Sequence, residues 1–169
     1  MMASGRFLIA LTVANLVSGT ASAAPTPVAD LQCKFRHRMQ EVNAISEVPR
    51  QIQNVMLVRM DPAAREDAKF EWHNVMAPRD GAFNSTDVVT VGYPSRRFIR
   101  AGHEGNEWFV WFEHGGIAYA KNIALFHVRL GQGLPILRAF IPYWENPCAL
   151  TDDPIDNKPP PPGLGSRWW

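Results

Sequence analysis

The sequence has little of what usually marks a function. It carries two cysteines, Cys33 and Cys148, and no Cys-x-x-Cys motif, which argues against a redox-active pair. It contains no His-Glu-x-x-His motif, no Gly-x-Ser-x-Gly elbow, no phosphate-binding P-loop and no dinucleotide fingerprint. An excess of one charge is also lacking, with 17 Lys+Arg against 16 Asp+Glu. Nucleic acid and anionic membranes call for a clustered basic excess, so neither is an expected partner. A single long apolar run occurs, and none follows it that could span a membrane.

That run opens the chain. Arg6 precedes the apolar stretch Phe7 to Val17, and Ala21-Ser22-Ala23 follows, which are the three parts of a secretory signal peptide. The stretch is too short for a spanning helix, which needs about 20 apolar residues. Cleavage is expected between Ala23 and Ala24, giving a secreted or periplasmic protein. Cys33 lies well beyond the run, after Asp30-Leu31-Gln32, so it is not placed for lipidation. Without residues 1–23 the chain loses Arg6 and carries 16 charges of each sign. In an oxidising compartment the two cysteines form most simply one disulfide, tying the two ends of the domain together.

The domain reading is a signal peptide over 1–23, one globular domain over 24–150 and a proline-rich flexible tail over 151–169. Four prolines at 159–162 favour polyproline II or disorder in that tail. Trp168 and Trp169 make the segment 158–169 a candidate docking peptide for a protein partner, against the plainer reading of a frayed end.

Within the domain the first half is mixed. Ile52, Val55, Met56 and Met60 after Pro49 fit a helix, but Val55 to Val58 fits a buried strand equally well. Asp61-Pro62 has the form of a helix start. Strands follow at Arg96–Ala101, Trp108–Glu113, Tyr119–Leu130 and Ile136–Tyr143, with Val88–Val91 as a possible fifth. Connections this short between strands demand antiparallel pairing. The fold class is therefore α+β: an antiparallel four- to five-stranded meander over about 88–143, packed by N-terminal helical segments and closed by one disulfide.

The aromatic run Trp108 to Phe112, ending in Glu113-His114-Gly115-Gly116, is the natural place to look for chemistry. Alternation puts Trp108, Val110 and Phe112 on one face and Phe109 and Trp111 on the other. With Gly115-Gly116 read as a two-residue hairpin turn, Phe112 should face Tyr119 and Trp108 should face Ile123. Arg97 should lie diagonal to Glu113, within salt-bridge reach. A Glu-His pair can do acid–base work, but neighbours on a strand point to opposite faces, so Glu113 is badly placed to orient His114.

At the other end, His103, Glu104 and His127 could in principle ligate zinc or iron, yet no metal-ligand spacing supports them, and no metal or cofactor is expected. Asn84-Ser85-Thr86 fits a glycosylation sequon, but turn or capping chemistry explains it more simply. His37 and His73, among charged neighbours, read as surface residues.

The functional expectation is an exported, non-catalytic module that binds a small ligand or a partner. Arg97, Tyr119, Trp111 and Tyr93 are the binding candidates. They suit an apolar or aromatic ligand with an acidic group. The alternative is a small extracytoplasmic hydrolase using His114 with Glu113 or another carboxylate.

Overall fold

A computed structural model describes residues 32–60, 74–129, 134–143 and 146–156. The expected signal peptide, the helix start at 61–62, His73 and the tail segment 158–169 lie outside those residues. The described chain forms β1 (Gln40–Val42), α1 (Arg50–Met60), β2 (Arg96–Glu104), β3 (Glu107–His114), β4 (Ala120–His127), β5 (Ile136–Tyr143) and α2 (Pro147–Ile155). The five strands form one sheet in the order β1-β2-β3-β4-β5, and every neighbouring pair is antiparallel. Among the described residues no helix is long and apolar enough to cross a membrane.

Both faces of the central strands are covered. Ile52 and Met56 of α1 pack with Phe98, Val110, Phe112 and Phe126 on one face. On the other face Phe109, Trp111, Ile123 and Ile141 pack with Tyr143, with Cys148 of α2 and with Phe35 of the N-terminal segment. A strand sealed on both sides has no polar face to show, which is why β3 reads as a continuous apolar run. Cys33 and Cys148 are disulfide-bonded across a sequence separation of 115, with Cα atoms 5.9 Å apart.

One open reading is resolved and three local readings are corrected. Residues 50–60, left open between helix and strand, are helical, with Pro49 accepting the first backbone bonds from Ile52 and Gln53. The Val88–Val91 run is no strand. Its backbone is captured by the Asn84 side chain, which accepts from the Thr90 N–H and donates to the carbonyls of Thr90 and Tyr93. The fifth strand is instead β1, paired to the end of β2.

The β3–β4 connection is five residues long, because His114 pairs with Ala120. Phe112 consequently faces Asn122 and Trp108 faces Phe126. Finally, packed structure runs past residue 150, since α2 continues to Ile155 with Thr151, Asp152 and Pro154 buried. Its start is set by Asn146, whose side chain caps the Ala149 N–H, with Pro147 at a first-turn position where no N–H is needed.

Candidate functional site

The start of β2 and the end of β3 bring Arg97 directly opposite Glu113. Arg97 Nε donates to Glu113 Oε2 at 2.5 Å, and the Tyr119 hydroxyl donates to Oε1 at 2.6 Å. Both carboxylate oxygens are therefore engaged. The Arg97 guanidinium also lies over the Phe83 ring, 4.6 Å from its centroid. The side chains of Arg97 and Glu113 are only 12% and 5% exposed, so the pair works in a partly dry environment where charge-assisted bonds are strong. The diagonal contact expected from the sequence is a direct cross-strand pair.

His114 stands apart from this triad. It ends β3 on the α1 side, exposed and opposite Arg96. Partial desolvation, then the positive charge of Arg96, hold its imidazole below the ordinary range, so it is neutral at pH 7. The ring has the protonation state of a base, but Glu113 turns to the other face and both of its oxygens are occupied. Trp111 is wholly buried, and its indole N–H donates to Thr151 Oγ1 at 3.0 Å. Its aromatic surface belongs to the core beneath α2. Tyr93 is half exposed in the loop before β2.

The loop 84–95 and the connection 115–119 meet at this end of the sheet. Asn84 donates its backbone N–H to Pro94, and Gly115 donates to Ser95, each at 2.8 Å. Asn84 is buried, and its side-chain amide is used within the loop, so the sequon reading gives way to the capping one.

Gly115 is required by close approach, since a Cβ there would overlap the Asn84 carbonyl oxygen. Gly116, with φ of 97°, takes a left-handed conformation that a side chain would strain. Gly115→Ala should accordingly cost about 1–3 kcal/mol through backbone displacement, as urea denaturation would show. It should also loosen the 84–95 loop. On this pinned frame Val88, Val89 and Val91 are 72%, 73% and 96% exposed, and Ile117 of the facing connection is 95% exposed.

The opposite end of the sheet carries several short-range polar and stacking contacts. His103 stacks on Trp108 with ring centroids 4.3 Å apart. His127 contacts Glu107 at 2.7 Å, and Glu104 contacts His37 at 2.6 Å. Among the described residues no three His, Cys, Asp or Glu side chains form a group able to hold a metal ion.

Two features were missed in the sequence. His37, read as a surface residue, is clamped between Glu104 and Asp156. Arg100 is buried against the rings of Phe35 and Trp111 and ion-paired with Glu41. The capping role of Asn84, by contrast, had a local signal, since Asn-Ser-Thr-Asp is turn chemistry. The partners of His37 and Arg100 come from distant parts of the chain. No protein-family model, curated protein or solved structure matches the chain.

Proposed function

We propose that the protein is an exported, non-catalytic interaction module that meets an apolar partner surface at the 84–95 and 115–119 end of its sheet. The observation that carries this reading is the exposed set Val88, Val89 and Val91, held in solvent by a loop whose own backbone is fixed by Asn84, with Ile117 exposed on the connection 115–119. Clustered exposed aliphatic side chains are a mark of binding sites, and a pre-ordered loop lowers the entropic cost of association.

Arg97 is the cation that an acidic small ligand would seek, but it is bonded to Glu113 and little exposed. An apolar macromolecular surface therefore suits this end better than a small acidic ligand. The Cys33–Cys148 bridge agrees with an oxidising compartment, where such bonds persist.

A thermal-shift screen with apolar peptides tests the proposal, because a ligand of the native state at 100 times its Kd adds about 2.7 kcal/mol. The triple variant Val88→Ser, Val89→Ser, Val91→Ser should keep its unliganded stability within about 0.5 kcal/mol, since these are surface changes. It should also lose the peptide-induced shift, while His114→Ala keeps it. A substrate turned over by the wild type and not by His114→Ala would overturn the reading in favour of a hydrolase.

A further inference from the structure

His37 stands where three pieces of chain meet: the N-terminal segment before β1, the tip of the β2–β3 hairpin and the end of α2. Its Nδ1 lies 2.6 Å from Glu104 Oε2 and its Nε2 lies 2.8 Å from Asp156 Oδ1. A neutral imidazole has one N–H and one lone pair. It can satisfy one of these carboxylates but must turn its lone pair toward the other. Only the imidazolium donates to both.

The surrounding charges agree with that geometry. Asp152 of α2 adds a third carboxylate near the ring. Arg36, the neighbouring cation, is held by Asp153 at 2.7 Å and Asp156 at 2.9 Å. Desolvation works against the ring's charge. The Asp156 hydrogen bond and the charges of Glu104, Asp156 and Asp152 outweigh it, and the pKa of His37 is raised.

We infer that His37 is a proton-operated latch, which when protonated ties the β2–β3 tip to the N-terminal segment and α2, and releases the tip on losing its proton. The release has a direction. Asp156 retains a second partner through its other oxygen, bonded to Arg36. Glu104 has no second partner among the described residues, and it stands directly across the strand pair from Glu107. Like charges in that position repel.

Glu107 is itself fixed by His127 at 2.7 Å and Arg138 at 3.0 Å, so Glu104 is the carboxylate that moves. The two-residue turn Gly105-Asn106, with Gly105 at φ of 55°, carries it. Because the folded-state pKa of His37 is raised, the ring keeps its proton, and the latch stays closed, to higher pH than an ordinary histidine would allow. It opens as pH rises through that higher pKa.

Amide and imidazole NMR on the oxidised full chain, titrated from about pH 5 to 9 to span the histidine range, reads both parts of the latch. The His37 ring should titrate above its ordinary midpoint, and the Gly105 and Asn106 amides should shift with that same midpoint. Glu104→Gln replaces a partly exposed side chain, so the fold should be kept. In that variant the His37 midpoint should fall and the tip should lose its transition. In His37→Gln the tip should hold its high-pH position at every pH. A His37 midpoint at or below the ordinary value would overturn the inference. Tip amides that ignore it, or follow only His103 or His127, would do the same.

Discussion

Reducing the Cys33–Cys148 bridge, or replacing both cysteines with serine, is expected to lower stability by about 4–5 kcal/mol on the chain-entropy model for a closed loop this long. Removing the crosslink frees the unfolded chain more than the folded one. Among the described residues the other contacts that join these two ends are packing, hydrogen bonds and ion pairs. Phe35 packs on Phe109 and Trp111, and Arg36 reaches Asp152, Asp153 and Asp156. Arg36, however, is 52% exposed, and ion pairs at such sites contribute little after solvent screening. The reduced protein should therefore expose the segment before β1 to proteolysis before the sheet itself opens. Urea melts with and without reductant measure the difference. A change below about 1 kcal/mol would mean that packing, not the crosslink, holds the two ends together.

Arg97→Leu is expected to cost about 3–5 kcal/mol, because it leaves the Glu113 carboxylate buried without its cation. The double variant Arg97→Leu, Glu113→Leu should recover most of that loss, since removing both charges removes the desolvation penalty as well. This cycle separates two roles for the same residues. A structural pair gives a large coupling energy and leaves partner binding at the valine loop intact once stability is restored. A ligand-binding Arg97 would give a double variant that folds normally but no longer shows a ligand-induced rise in melting temperature. The occupied oxygens of Glu113, bonded to Arg97 and Tyr119, favour the first outcome.

Strands β2 to β5 were legible because their signal is local, whereas β1 was not read and Val88–Val91 stood in its place. Ile136–Tyr143 has the bounds read from the sequence, and β3 differs from its reading by one residue at each end. The alternation within Trp108–Phe112 also places each residue in the core cluster of the expected face. Register was legible only in outline. A β-bulge between Phe98 and Arg100 shifts the β2–β3 pairing, and a bulge leaves almost no trace in a hydrophobic pattern. That shift puts Arg100 opposite Trp111, on the face where Phe35 covers it.

By itself the sequence determined the strand-rich half of the domain, the antiparallel sense of its short connections and the only cysteine pairing open within one chain. Each follows from composition, spacing or a count of two. It also separated Glu113 from His114, because neighbouring strand residues face opposite ways. Only the tertiary structure decided that Glu113 is closed by Arg97 and Tyr119, that Asn84 holds a valine-bearing loop in solvent, and that His37 meets two carboxylates. Those contacts join residues from separate elements, and a one-residue change in register or turn length is enough to redirect the strand-borne side chains.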